Sequence, residues 1–407
     1  MSGDLSGFGR LIRENKDFRR LWFSHMISLL GDWLSYIAVA VISIEKGQGA
    51  LAVGMVLFVH SLPTALISPI AGPLADSVDR KKLIIAGYIG AAVLTVGMWG
   101  AADLGSVWLL QGVLFIRVCV SGIAMTARSA SIPAIVGRAD LRIANALLGL
   151  TWSVMFTLGL ALGGFATEFL SPSGAILLDS LSFLLAAAVA AGLPSLKPEV
   201  SEDGPPRPGV ADMLIAWRFI VSRPQLLSTV LSKTPPMIAN AGGWVALNLL
   251  AGPRLAPLTT AIALGVLQSA RAIGTGLGPL TPARLVPHNP LLGPLFVFVG
   301  IALFAIFDSI WISCLAVCLW GAGGGHNWVI ATADTQAATP DHLLGRVTSI
   351  DFFLFCIGQA GAAVLAGALC DAWDSPTVGA WATMGLAFIL WSYCLVLRRK
   401  ASTTDSH

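Results

Sequence analysis

Apolar runs long enough to cross a bilayer as helix, about 20 residues each for roughly 30 Å of hydrocarbon, recur along the whole chain. Twelve stand out, at roughly 21–44, 50–75, 83–102, 106–127, 143–168, 173–193, 226–250, 258–280, 290–307, 309–331, 347–370 and 376–397. Several carry proline (Pro63, Pro69, Pro235, Pro236, Pro279), which helices in lipid tolerate. Most joints between runs are short. The stretch "PSLKPEVSEDGPPRPG" is instead Pro-rich and charged, a linker by composition. "ADMLIAWRFIVSRP" follows it and predicts a short amphipathic helix at the membrane surface. This segment divides the runs six and six. The expected organisation is a six-helix bundle over 1–193, a cytoplasmic linker with its short helix over 194–224, and a second six-helix bundle with a short tail over 225–407.

Composition agrees. The chain is 56% hydrophobic and 12% charged, where a soluble protein carries about 25% charged residues. Lipid is the solvent that such a surface suits. The first run follows a basic leader (Arg10, Arg13, Lys16, Arg19, Arg20) and is too long for a signal-peptide core, so it is expected to span. The six cysteines fall in or at the ends of apolar runs and read as small buried residues. Cys314 and Cys318 are one helical turn apart but lack further ligands at helical spacing, so no metal site is expected.

Charge placement orients the chain. With the N-terminus inside, the inner segments hold the leader, Arg80, Lys81, Lys82, Arg128, Arg138, Arg142, Arg346 and the tail Arg398, Arg399, Lys400, whereas outer loops hold Lys46 and Arg254. Lys and Arg concentrate on the cytoplasmic side, so both termini are expected there. Two segments also repeat. "RADLRIANALLG" after the fourth run and "PDHLLGRVTSID" after the tenth each place an acid, a Leu and an Arg (Asp140, Leu141, Arg142; Asp341, Leu343, Arg346) before the next run. Parallel six-helix halves are a transporter architecture, with the substrate site at their interface near the midplane.

The joint between the second and third runs, "GPLADSVDRKK", carries two acids and three cations. It resembles the loop 2–3 signature of the major facilitator superfamily at Gly72, Leu74, Ala75, Asp76, Arg80 and Lys81, and departs from it at Ser77 and Asp79. An acid at the latter place, with "DFRRLWFSHMISLLGDWL" and "DHLLGRVTSI", resembles the branch of enterobactin exporters and drug:proton antiporters. The resemblance covers the whole chain. It implies an all-α fold of twelve transmembrane helices in two pseudo-symmetric bundles, working as a monomer. It also implies a conformational gate: Gly72 lets two helices approach, and Asp76 is held by Arg128 and the N-terminus of span 11. Arg80, Lys81 and Lys82 are expected to anchor the loop on lipid headgroups.

Charges at bilayer depth are costly and point to function. Asp32 in span 1 and Arg117 in span 4 both fall near the midplane and compensate each other in charge. Arg117 also resembles the arginine of a family motif linked to proton coupling. Arg271 and Gln268, one turn apart in span 8, are candidates to meet an anionic or polar substrate. Asn240, Gln359, His60 and Trp33 are further cavity candidates. Lys233 is expected to snorkel inward, and Glu168, Asp179 and Asp351 to sit wet near span ends. In "TLGLALGGFATEF", Gly159, Gly163 and Gly164 resemble an antiporter motif without its usual proline, and small residues also serve close helix packing.

The expected function is secondary active transport, a proton-coupled efflux of a hydrophobic or amphiphilic small molecule from the bacterial inner membrane. Alternatives on the same fold are a siderophore, lysolipid or metal-ion exporter, or an importer. No Walker, HExxH or GxSxG motif occurs, so no enzyme activity is expected. Nor is a cofactor expected beyond the proton gradient, and the partners expected are cargo and membrane lipid, not nucleic acid.

Overall fold

The computed structural model describes residues 2–47, 49–197, 210–281 and 289–404. Among these every regular element is helical. In order they are α1 (Ser2–Glu14), α2 (Lys16–Lys46), α3 (Ala50–Ser77), α4 (Arg80–Asp103), α5 (Val107–Ala191), α6 (Val210–Val221), α7 (Pro224–Leu231), α8 (Thr234–Arg254), α9 (Thr260–Leu277), α10 (Gly293–Ile306), α11 (Ile310–Ala337), α12 (Asp341–Ala372) and α13 (Val378–Thr404). The long α5 is not one rod. Its backbone leaves helical geometry at Gly137 (φ 70°) and Ser171 (φ 68°), so it comprises three helical stretches in succession. Helical segments therefore coincide with each of the twelve expected spans. Seven described helices meet a strict standard of length and hydropathy for crossing a membrane.

Two departures from the sequence reading have local causes. The basic leader is helical: α1 docks on α5 through an Arg10–Asp140 ion pair, and Asn15, just past its end, donates its side-chain amide to the Ile135 carbonyl at 2.9 Å. The expected span 226–250 is divided, because α7 ends at Leu231 and α8 restarts at Thr234. Pro235 and Pro236 lack the N–H groups that a continuous helix would need there. The middle of the linker, 198–209, lies outside the described residues.

The helices group into two compact units, Met1–Ile42 with Leu66–Arg207, and Ser43–Ala65 with Pro208–His407. Helix α3 thus gives its first part to the second unit and its remainder to the first. In the first unit, Phe18, Leu21, Ile84, Tyr88 and Phe183 form a fully enclosed core. Outward faces of its helices are apolar, as at Val93, Ile116, Leu181 and Leu185. Polar and charged side chains such as Arg117 and Asp179 lie inside, the arrangement expected when the solvent is lipid.

Lipid offers no hydrophobic drive between helices, so small residues that permit close backbone approach do the joining. The second unit shows this where α9 meets α11. A methyl at Gly274 would press on Cys318, at Gly278 on Ala322, at Gly321 on Arg271 and at Gly325 on Thr275, in each case against backbone. Two four-residue glycine spacings interlock, and this contact fixes the turn of α9 that carries Arg271.

Candidate functional site

The first unit buries a cluster of three charges. Arg117, on the first stretch of α5, is only 3% exposed at its side chain. Its Nη2 lies 2.9 Å from Asp32 Oδ1 on α2, and its Nη1 lies 2.9 Å from Asp179 Oδ2 on the last stretch of α5. Asp179 is completely enclosed, whereas the Asp32 side chain is 32% exposed. Ser35, one turn after Asp32, donates its hydroxyl to Asp179 Oδ2 at 2.6 Å. The guanidinium also lies 5.3 Å from the centre of the Phe183 ring. Arg117 Nε is buried with no hydrogen-bond partner among the described residues.

Sequence reading expected Asp179 to be wet. It lies instead eight residues past the break at Ser171 and is enclosed. Gly31 makes the meeting possible, since a methyl there would sit 2.5 Å from Asp179 Oδ1. The antiporter-like glycines contribute from the other side of α2. A methyl at Gly159 would lie 2.5 Å from Trp33 Cβ, and one at Gly163 would lie 2.8 Å from the Leu34 carbonyl oxygen; Gly164 is buried beside them. Trp33 does not stand alone: its ring centre lies 4.4 Å from that of Phe156 and 6.3 Å from that of Trp152.

Chemically the cluster has two acids and one fixed cation. Taken by themselves, with both carboxylates ionised, the three side chains carry one net negative charge, and Arg128 adds a cation in the same neighbourhood. A single proton brings the three side chains to neutrality. Of the two acids, Asp32 is the one with accessible surface.

The second unit brings together Arg271, Gln268 and Asn240. Arg271 Nε donates to Gln268 Oε1 at 3.1 Å and Nη1 to Asn240 Oδ1 at 3.4 Å. Its guanidinium lies 4.0 Å from the Trp244 ring centre and 5.4 Å from that of Trp320, a cation–π setting. Gln359 accepts from Ser61 at 3.1 Å, and His60 Nδ1 lies 2.8 Å from the Val56 carbonyl one turn back in its own helix. Lys233 does not snorkel. Its Nζ lies 2.5 Å from Asp351 Oδ2 and 4.8 Å from the Trp328 ring centre, and the two paired side chains are 5% and 6% exposed. Asp351 is therefore dry rather than wet. The sequence carried no sign that these two, on α7–α8 and α12, would meet.

Asp76 pairs at 3.5 Å with Arg80. Arg80 does not reach for lipid: its Nη1 donates to the Ala130 carbonyl at 2.9 Å and its Nε to the Ala75 carbonyl at 3.1 Å, tying the ends of α3 and of the first stretch of α5 together. Lys82 is exposed and Lys81 half-buried. Arg128 lies in the neighbourhood of His25 and Asp32. Among the described residues, Gly72 has no atom within 4 Å of where a side chain would begin. Asp79, where the family pattern has Gly, caps α4 and fastens the start of the linker. It accepts from Lys81 N–H at 3.0 Å, from Leu196 N–H at 3.0 Å and from the Ser195 hydroxyl at 2.6 Å. Slight desolvation pushes its carboxyl up, but these three hydrogen bonds and the charge of Lys82 outweigh it and hold the pKa below the ordinary value.

Comparison with known proteins places this geometry. The family model described as "Transmembrane secretion effector" matches residues 9–406. The enterobactin exporter EntS of Salmonella typhi is 27% identical over 381 residues, covering 88% of this chain and 86% of that protein. An uncharacterized MFS-type transporter of Bacillus subtilis, YfiS, is 26% identical over 185 residues, 45% of this chain. The chain spans less than half the length of that relative, 44%. Among solved structures, an auto-inhibited POT family peptide transporter superposes with a TM-score of 0.73 at 12% identity, over 94% of this chain and 96% of that one. A bacterial homologue of the iron transporter ferroportin, in an inward-facing state, gives 0.67 at 15% identity, over 94% and 98%. Family and fold are those of transporters rather than enzymes. The chain belongs to the transmembrane secretion effector family and has the major facilitator fold.

Proposed function

We propose that this chain is a proton-driven exporter of an amphiphilic small molecule, working by alternating access from the inner membrane of a bacterium with both termini in the cytoplasm. The observation that carries the reading is the Asp32–Arg117–Asp179 cluster: two carboxylates on one buried guanidinium, one of them accessible. Such a site demands a proton when no cationic group is present, and it exchanges that proton for cargo. A permanent structural pair would need only one acid. Arg271, held by two amide oxygens between two indole faces, is the candidate contact for an aromatic or anionic part of the cargo. Export as the direction is supported by the EntS relative, which is named an exporter and aligns over 88% of this chain. The same relative favours one second reading, a cargo resembling enterobactin.

The test is transport in proteoliposomes with a pH-sensitive dye trapped inside and an imposed proton gradient. Tetraphenylphosphonium, a lysophospholipid and enterobactin are added in turn to vesicles holding wild type or Asp32→Asn. One of them should collapse the gradient in wild type and leave it standing in Asp32→Asn. Cargo movement that leaves the gradient untouched in wild type would contradict proton coupling.

A further inference from the structure

The first part of α3 and the last part of α12 belong to one compact unit, and they are zipped together along antiparallel lines. Asp371, near the end of α12, turns its carboxylate onto the first residues of α3. Oδ1 accepts from the Ala50 N–H at 2.6 Å and Oδ2 from the Leu51 N–H at 2.9 Å. These are two of the N–H groups that a helix start leaves without an internal partner, and the positive end of the helix dipole reinforces the contact. Beyond the latch the backbones close up. A methyl at Gly367 would lie 2.7 Å from the Ala50 carbonyl oxygen, and one at Gly54 would lie 3.1 Å from the Ala363 carbonyl carbon. Farther along, Ser61 donates to Gln359. Gly49 leads into the seam with φ 151°, a backbone state that favours glycine, and a side chain there would strike Asp371 Oδ1.

None of this belongs to the charged cluster or to the loop 2–3 motif. The seam lies at the end of α3 beside Lys46, which the charge distribution assigns to the outer face. It combines one strong, releasable contact with a row of contacts that hold only while the backbones touch. We infer that Asp371 is a carboxylate latch on the outer end of α3. While it grips the Ala50 and Leu51 amides the seam is shut, and its release lets α3 part from α12 on that side. The inference rests on the alternating-access reading above, but its test needs neither cargo nor a proton gradient, so the two fail separately.

The protein carries its own reporter. Cys370, next to the latch, is 3% exposed and packs with Ala50, Val245 and Ala366. Cys394 is fully buried on α13, and its carbonyl receives the Ser228 hydroxyl. Two forms of the full chain are made, each keeping one of these cysteines and replacing the other five with Ser or Ala. Both are held in detergent micelles, where both faces are open to the solvent, and treated with a hydrophilic maleimide. Asp371→Asn should raise the labelling rate at Cys370 by at least about tenfold, since it removes a charge-assisted grip, and leave Cys394 unchanged. Gly367→Ala wedges the seam without touching the carboxylate. It should raise Cys370 labelling too, and it carries the test if Asp371→Asn does not assemble. An unchanged Cys370 rate in both variants would overturn the latch. So would an equal rise at Cys394, which would mean general loosening.

Discussion

The two units each bury ionised side chains, and they do so differently. In the first, one arginine serves two aspartates, and Asp32 keeps a third of its side chain accessible. In the second, one lysine serves one aspartate, and both are almost fully enclosed under the Trp328 ring. Burying ions costs several kcal/mol each, and pairing must offset it. The Lys233–Asp351 pair is balanced as it stands. The Asp32–Arg117–Asp179 cluster has two acids to its one paired cation, and one of the acids, Asp32, is partly exposed. A balanced, sealed pair can hold helices together. A cluster with a second, partly exposed acid can run a cycle.

The largest effect should separate these roles. Arg117→Leu leaves two carboxylates facing each other and should cost about 3–5 kcal/mol, read as a lower melting temperature in detergent together with lost transport. Lys233→Leu should cost a similar amount, but there the partner can be removed as well. Lys233→Leu/Asp351→Leu should recover to within about 1 kcal/mol of wild type and keep proton-coupled transport. If the double variant stays as unstable as the single one, or loses coupling, the two clusters are not different in kind.

A middle-sized effect tests how the first cluster is assembled. Gly31→Ala should cost about 1–3 kcal/mol by overpacking, because the new methyl meets Asp179 and Ser182. It should weaken coupling more than cargo binding. Gly72→Ala, whose methyl meets no described atom within 4 Å, should change stability by no more than about 0.5 kcal/mol. Thermal melts of the two variants side by side decide this.

The smallest effect concerns the loop. The folded-state pKa of Asp79 lies below its ordinary value. The stability it contributes is therefore present above the unfolded pKa, about 3.9, and is lost as pH falls through the folded one. Limited proteolysis in the linker beyond Leu196 should speed up below about pH 4 in wild type. In Asp79→Asn it should be fast at neutral pH already. Equal rates at neutral pH would show that Asp79 does not hold the linker.

Much of this was legible in the sequence. Run length and hydropathy located the long apolar helices, because lipid imposes both directly, but not the division of the run 226–250 into α7 and α8. Asp32 and Arg117 were legible as charges in the middle of apolar runs. Asp179 was not, because it lies near the start of its expected run at 173–193 and its enclosure depends on which helices pack around it. The partners are also far apart in the chain: Arg117 and Asp179 are 62 residues apart, and Ser35 and Asp179 are 144 apart. No periodicity reports such a meeting. Gly31 left no distinct signal, being one glycine among 43. In the loop motif, residue types resembled a family pattern, yet the side chains of Arg80 and Asp79 turned inward to helix ends and to the linker. Spacing does not encode that choice.

The central claim is that the first cluster, and not the second, takes up and releases a proton. Infrared difference spectra of the reconstituted protein, taken between acid and alkaline buffer, read this directly through the carbonyl stretch of a protonated carboxyl. The account predicts a band that disappears on the alkaline side in wild type and persists unchanged in Lys233→Leu/Asp351→Leu. In Asp32→Asn/Asp179→Asn it should be absent. A band that survives the loss of both Asp32 and Asp179, or that vanishes with Lys233 and Asp351, would contradict the account.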